Sequence, residues 1–323
     1  MNARRTYLTY FGFLLLVFIA VGYSARNVIF RPWTARSWVV TSTLDKKIYV
    51  FGGKNGQNEL VKDALVIDPV QNSLRRAGGQ PTSLFGSSAA SLGGTIYLAG
   101  GTDLKSISDE ILRFDTATHQ LTAVGRLTGP RTYGALVSVS GGLYYLGGWD
   151  GKSTSNEILR YDPTTAITAV VGHLPFGVEQ FAAVGADGLI YVFGGMNAAG
   201  DFVSDIYGID PENGSVRYTG RLPAPAARVS ATSLNGTIYI SGGWNGTELR
   251  NLLSLTPGVQ PLVPKVVREI GYPILDASLA ASGNRLYLVG GKEERYGRQV
   301  QVLRIDPESA DVTSVLLRSY AWR

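Results

Sequence analysis

The sequence predicts an all-β protein of six repeated four-stranded sheets, preceded by one apolar helix. Three features carry that prediction. A di-glycine returns six times at near-constant spacing, a turn signal follows each pair, and one long uncharged stretch stands near the N-terminus. The composition agrees. Glycine is abundant, at 40 of 323 residues, and only 17% of residues are charged, as suits short strands joined by tight turns.

The di-glycines are Gly52-Gly53, Gly100-Gly101, Gly147-Gly148, Gly194-Gly195, Gly242-Gly243 and Gly290-Gly291, at intervals of 48, 47, 47, 48 and 48 residues. A tyrosine stands three residues before each pair: Tyr49, Tyr97, Tyr144, Tyr191, Tyr239 and Tyr287. An Ile or Leu precedes every one of these tyrosines. Between 13 and 15 residues after each pair comes Asp68-Pro69, Asp115-Thr116, Asp162-Pro163, Asp210-Pro211, Thr256-Pro257 or Asp306-Pro307. Asp-Pro starts turns, because the carboxylate caps backbone amides and proline presets its own φ. Each unit therefore reads as four strands, in the third unit GALVSVS, LYYLGG, EILRYD and AITAVV. Four short strands every 47 or 48 residues describe one blade of a β-propeller. The first strands are rich in Ala, Ser and Gly, which suits crowding around a central axis, and the second strands are apolar on both faces, which suits blades stacked face to face.

Apolar residues leading into Gly-Gly, then a strand closing in Tyr-Asp-Pro, resemble the kelch repeat over about residues 36–323. The resemblance implies a six-bladed propeller with four antiparallel strands per blade. One departure stands out: Leu74, Leu121 and Val216 occupy fourth-strand places where kelch repeats usually carry tryptophan. Two segments compete to close the ring, the C-terminal DVTSVLL of residues 311–317 and the stretch Asn27–Phe30. The fifth unit carries Pro257, Pro261, Pro264 and Pro273, so its outer edge is expected to be distorted.

The chain divides into an N-terminal segment, 1–27, and a propeller, 28–323. Residues 6–25 contain no charge and are long enough, as a helix, to cross about 30 Å of hydrocarbon. Their apolar body is Phe11, Phe13, Leu14, Leu15, Leu16, Phe18 and Ile19, and Tyr7 and Tyr10 near one end suit the headgroup region. The expectation is a retained single-pass membrane anchor with the propeller on the periplasmic or extracellular side; a cleaved signal peptide is the alternative. Arg4, Arg5 and Arg26 account for three of the five net positive charges, and no basic stripe with interleaved aromatics follows, so nucleic acid is not an expected partner. There is no cysteine, which excludes thiol catalysis, Cys-ligated metals and the Cys-Tyr-His copper chemistry of some kelch propellers. His119 and His173 stand apart near outer strands, so no metal or other cofactor is expected.

The kelch resemblance implies that a ligand would sit at the mouth of the central channel. The positions leading into the first strands hold Arg36, Arg131, Tyr133, Glu179, Arg228 and Asp276. The loops after the glycines hold Asn55, Asp103, Trp149, Asp150, Asn197, Trp244, Asn245 and Glu293. Two readings stay open. The arginines form a pocket for a carboxylate, sugar acid or acidic peptide, or these are solvated turn residues and rim ion pairs. Trp149 and Trp244 fit packing roles, and Asn-Gly and Asp-Gly at 55–56, 150–151 and 245–246 fit turns. With no recognisable catalytic set, the expected function is a membrane-anchored interaction or scaffold subunit, partnered by lipid and by other membrane proteins. The alternative is an exported carbohydrate-active enzyme or binder of the sialic acid mutarotase kind, with Glu179, Arg131 and Arg228 as acid/base and carboxylate clamp.

Overall fold

A computed structural model of the chain describes residues 36–79, 84–272, 274–292, 302–315 and 318–319. The apolar segment and Asn27–Phe30 lie outside these residues. No helix among the described residues is long and apolar enough to cross a membrane.

Six antiparallel sheets of four strands follow one another along the chain. Blade 1 comprises Val40–Leu44, Lys47–Phe51, Asp63–Asp68 and Ser73–Gly79; blade 2 comprises Ser88–Leu92, Thr95–Ala99, Glu110–Phe114 and Leu121–Arg126. Blade 3 comprises Ala135–Val139, Gly142–Leu146, Glu157–Asp162 and Ile167–His173; blade 4 comprises Ala182–Ala186, Leu189–Phe193, Asp205–Ile209 and Val216–Arg221. Blade 5 comprises Ala227–Leu234, Thr237–Trp244, Asn251–Leu255 and Lys265–Glu269; blade 6 comprises Leu275–Ser282, Arg285–Lys292, Val302–Ile305 and Val312–Ser314.

Each pair of adjacent blades encloses its own apolar cluster, and a sixth cluster joins blade 6 to blade 1 through Ala280, Tyr287 and Val289 against Val39, Ile48 and Val50. The ring is therefore closed by packing. The second strands carry most of this burial, with Lys47–Phe51 buried at four of its five positions. The repeated tyrosines reach forward into the next blade. Tyr49 meets Phe114 edge-on at 5.8 Å, Tyr97 meets Tyr161 at 6.3 Å, and the Tyr144 hydroxyl donates to Pro211 O at 3.2 Å. Hydroxyls tie the inner strands together: Ser88 Oγ accepts from Leu136 N, Ser230 Oγ accepts from Leu279 N, and Thr41 and Ser278 share a bond across the 6–1 junction.

The C-terminal unit supplies all four strands of blade 6, and Arg318–Ser319 then adds in parallel to the outer strand of blade 1 at Ser73–Leu74. The Asp side chains cap their turns as expected. Asp68 accepts from Val70 N and Gln71 N, and Asp115 from Ala117 N and Thr118 N. Leu74 is buried in the 6–1 cluster, while Leu121 and Val216 pack against the clusters of blades 1–2 and 3–4. The fifth unit departs from the others. Its third and fourth strands are joined by the long segment 256–264, from which Leu262 N reaches Thr219 O of blade 4 at 2.7 Å.

The first glycine of every pair but Gly242-Gly243 is required by close approach. A Cβ on Gly100, Gly147, Gly194 or Gly290 would lie 2.4, 2.6, 2.3 or 2.4 Å from a backbone oxygen of the following blade. All four residues also have φ between 57° and 77°. The second glycine's amide donates across the same junction, from Gly101, Gly148, Gly195 and Gly291 to the carbonyls of Arg131, Val178, Ala226 and Arg36.

Candidate functional site at the channel mouth

Just before the first strand regains regular pairing, each blade carries one residue that leaves the ladder without shifting its register. In blade 5 the ladder passes from Ala227↔Trp244 to Val229↔Gly242, leaving Arg228 unpaired. In blade 6 it passes from Leu275↔Lys292 to Ala277↔Gly290, leaving Asp276 unpaired. The register is the same on both sides of each gap, so no residue is inserted. Arg228 lies opposite Gly243 and Asp276 opposite Gly291, and positive φ at both members of each pair takes them out of the ladder. The equivalent residues of the other blades are Trp38, Gly86, Tyr133 and Gln180. All six hold left-handed backbone, with φ of 57°, 66°, 59°, 55°, 61° and 61° in chain order. Five are not glycine, so each stores backbone strain that the surrounding ring must support.

The support is a belt of hydrogen bonds between blades. Trp38 N donates to Asp276 O, Tyr133 N to Gly86 O, Gln180 N to Tyr133 O and Arg228 N to Gln180 O, at 2.6–2.9 Å. All six side-chain positions line one cavity of about 210 Å³. Below it lies a second cavity of about 320 Å³, walled by the remainder of the inner strands. Thr41, Ala89, Leu136, Ala183, Ala231 and Leu279 border both, so the two are consecutive stretches of the axial channel.

The chemistry of the mouth is concentrated on blades 5, 6 and 1. Arg228 binds Asp276 with two bonds, Nε to Oδ1 at 2.7 Å and Nη2 to Oδ2 at 2.6 Å. The Asp276 side chain has no exposed surface and the Arg228 side chain is 18% exposed, so the carboxylate lies behind the guanidinium. Burial raises the Asp276 carboxyl above its ordinary range despite the opposing pull of Arg228 and of Lys292, whose Nζ stands 3.8 Å away. The guanidinium also lies over the Trp38 ring, 4.5 Å from its centroid. Trp38, Phe85 and Tyr133 form a mutually tilted aromatic trio with centroids 5.5–5.9 Å apart. Burial, followed by the charge of Glu179, pushes the Tyr133 phenol up to about 12. Gly86 makes room for this trio, since a Cβ there would meet the Tyr133 ring at 2.9 Å.

Arg228 is thus fixed along one edge by Asp276 and across one face by Trp38. Among the described residues its Nη1 has no partner. The edge formed by Nη1 and Nη2 is a planar fork of the kind that takes a carboxylate with two bonds.

The residues expected at the mouth fall into three neighbouring registers. Tyr133, Arg228 and Asp276 line the cavity. Glu179 stands one residue earlier, buried, paired in the sheet with Met196 and with its carboxyl raised by desolvation. Arg36 and Arg131 stand two residues before the belt and do not line the cavity. Arg36 is 1% exposed and bonds Asp63 Oδ1 at 3.0 Å and the carbonyl of Asp63 at 3.2 Å; burial lowers its pKa. Arg131 is held by Glu157 at 3.0 Å. The geometry therefore does not bring Arg131 together with Arg228. Trp149 and Trp244 are half-buried partners of Thr132 and Ala227 and likewise stay outside the cavity. Asn55, Asp103, Asp150, Asn197 and Asn245 all turn their side-chain oxygens onto backbone amides of their own loops. Glu293 lies outside the described residues. Trp38, Gly86 and Gln180 were not among the expected residues. A signal for them exists: every belt residue stands 14 positions before the first glycine of its pair, whereas Glu179 stands 15 before and Arg36 and Arg131 stand 16 before. Among the described residues no three His, Asp or Glu side chains gather to hold a metal ion.

Two family models match the chain, the KLHDC2/KLHL20/DRC7 kelch-repeats domain over residues 25–168 and the kelch motif over residues 179–222. Two curated N-acetylneuraminate epimerases of Haemophilus influenzae, strains PittEE and 86-028NP, are each 37% identical over 78 residues, covering 23% of this chain and 21% of the epimerase. Alpha-scruin of Limulus polyphemus is 25% identical over 108 residues, covering 31% of this chain and 12% of the scruin. The matches thus span about a fifth or less of the length of these curated relatives. A solved structure described as the structure of YjhT superposes with a TM-score of 0.73 at 14% identity, covering 86% of this chain and 97% of that one, which shows a shared fold. The chain is a kelch-repeat β-propeller.

Proposed function

We propose that this kelch propeller binds a sugar acid of the N-acetylneuraminate kind in the mouth of its channel. The ligand carboxylate takes the free edge of Arg228, and the sugar lies against Tyr133 within reach of Gln180. The observation that carries the reading is the arrangement of Arg228, whose Nε edge is occupied by Asp276 and whose face is covered by Trp38. A guanidinium immobilised in this way loses little side-chain entropy when it binds a planar anion. The partial similarity to N-acetylneuraminate epimerases supports the class of ligand.

Titration calorimetry of the full chain with N-acetylneuraminate tests the reading. Binding is expected, and Arg228→Lys should weaken it at least about tenfold by replacing a fork with a point charge. Glucuronate and the uncharged N-acetylmannosamine serve as comparisons, the second expected to give no heat. Absence of heat with either acid, or equal affinity in Arg228→Lys, would overturn the assignment. The membrane tether through residues 6–25, with the propeller on the periplasmic or extracellular side, is a further part of the proposal and rests on that uncharged stretch. Carbonate extraction of membranes, with protease protection of intact cells, checks both the tether and the side.

A further inference from the structure

Below the belt the channel changes its chemistry. The upper cavity, about 210 Å³, carries Arg228 and Asp276, yet it is smaller than the ~300–1,000 Å³ usual for small-molecule pockets. The lower cavity, about 320 Å³, is lined by no Lys, Arg, His, Asp or Glu. Among the described residues no bulky side chain closes the passage between them. The residues that border both cavities stand 11 positions before the glycines, and four of them are small: Thr41, Ala89, Ala183 and Ala231. The other two, Leu136 and Leu279, are only 5% and 4% exposed, because their side chains pack into the clusters between blades.

Nine positions before the glycines stands a ring of Thr43, Ser91, Ser138, Gly185, Ser233 and Ala281, all lining the lower cavity. Ser91 Oγ donates to Thr43 O at 2.9 Å. The hydroxyls of Thr43, Ser138 and Ser233 have no hydrogen-bond partner among the described residues, and they come from every second blade, 1, 3 and 5. Backbone groups add to them. Leu136 N and Leu279 N donate to Ser88 Oγ and Ser230 Oγ of the preceding blade, so amides at this level turn away from the second strand. Ala135 and Ala182 stand where those serines would be, and leave the amides of Ala183 and Ala231 facing the channel without such a cap.

Uncharged hydroxyls and amides match a neutral sugar, whose own hydroxyls both donate and accept. A second acidic group would lose its hydration there without gaining a counter-charge. The belt and the hydroxyl ring are five residues apart, about 16 Å along a strand, which is farther than one sugar ring reaches. We infer that the channel takes a sugar acid joined to a neutral sugar in preference to the free acid. This rests on the reading that Arg228 takes the carboxylate. The acidic unit fills the upper cavity, and the neutral unit descends past Ala183 and Ala231 to Thr43, Ser138 and Ser233.

Titration calorimetry of the full chain in mild detergent with N-acetylneuraminate, lactose and N-acetylneuraminyl-lactose tests this. The conjugate is expected to bind at least about tenfold more tightly than the free acid. Combining Ser138→Ala with Ser233→Ala should abolish that preference and leave affinity for the free acid unchanged. The urea midpoint should not move, because neither hydroxyl bonds to the described protein. A conjugate no tighter than the free acid, or a preference that survives the double variant, would overturn this inference alone. Binding of lactose that depends on Ser138 and Ser233, with no heat from either acid, would overturn the carboxylate reading and the conjugate with it.

Discussion

Two rings run around this molecule, and they repeat in different ways. The di-glycine ring repeats the same residues in the same conformation, because all six first glycines hold left-handed φ and all but Gly242 lie against a backbone oxygen of the neighbour where no side chain fits. The belt at the mouth repeats only the conformation. Trp38, Gly86, Tyr133, Gln180, Arg228 and Asp276 share left-handed φ and hydrogen-bonded position, yet no two are alike. The glycine ring lets the blades approach, so chemical variety there is forbidden by sterics. The belt points into open channel, so its backbone is fixed by the fold while its side chains are free to differ. A strained but uniform backbone carrying varied side chains is the arrangement expected of a recognition surface on a rigid scaffold.

The sharpest way to break the glycine ring is Gly147→Ala. Its Cβ would lie 2.6 Å from Val178 O, at φ 57°. A loss of about 3 kcal/mol is expected in urea unfolding, since neither backbone can yield. Gly141→Ala, at φ 74° in open space, is the control and should cost only about 1 kcal/mol. The belt is broken next by Asp276→Asn, which leaves Arg228 without its buried counter-charge. Because burial raises this carboxyl despite Arg228, the neutral amide should leave stability at neutral pH unchanged or slightly higher. Ligand affinity should fall, because the guanidinium is no longer held along its Nε edge. Calorimetry and urea unfolding on the same variant separate the two effects.

Tyr144→Phe removes one bond between blades 3 and 4, the hydroxyl to Pro211 O, and should cost about 1 kcal/mol in the same unfolding assay. The smallest effect is in pH dependence. Burial raises the carboxyls of Glu179 and Asp276, so the native protein holds those protons more tightly than the unfolded chain does. Their contribution to stability is therefore greatest at low pH and declines as pH rises from the ordinary carboxyl range through the raised values. Glu179→Gln should flatten that decline, with a gain in stability at neutral pH and little change below the ordinary carboxyl range. Urea midpoints measured across the acid range check it. An unchanged slope would mean that Glu179 is not desolvated in the native state.

Much of the fold was legible because it rests on local chemistry. Asp115 with the two amides it caps occupies four consecutive residues, and Tyr97 with its di-glycine occupies five. Such signals survive in one dimension, and six copies of them fix blade number and strand order. The candidate site was legible only in part. Tyr133, Arg228 and Asp276 were found among residues leading into the first strands, but Arg36 and Arg131 had the same residue type and nearly the same place. Backbone conformation decides between them. Left-handed φ turns the side chain 14 positions before the glycines into the channel, while Arg36 and Arg131, two positions farther back, end in ion pairs with Asp63 and Glu157.

By itself, then, the sequence determined an all-β ring of six four-stranded blades, because the period, the glycines and the turn carboxylates act within short stretches of chain. Only the tertiary structure decided how the ring closes, with blade 6 built wholly from the C-terminal unit and packed on blade 1. It alone decided which polar residues share a cavity. Arg228, Asp276 and Trp38 come from the fifth, sixth and first blades, and Trp38 and Asp276 stand at opposite ends of the propeller sequence. No local pattern relates such positions. They meet because a closed ring brings its first and last blades into contact, and because the belt hydrogen bond from Trp38 N to Asp276 O holds them there.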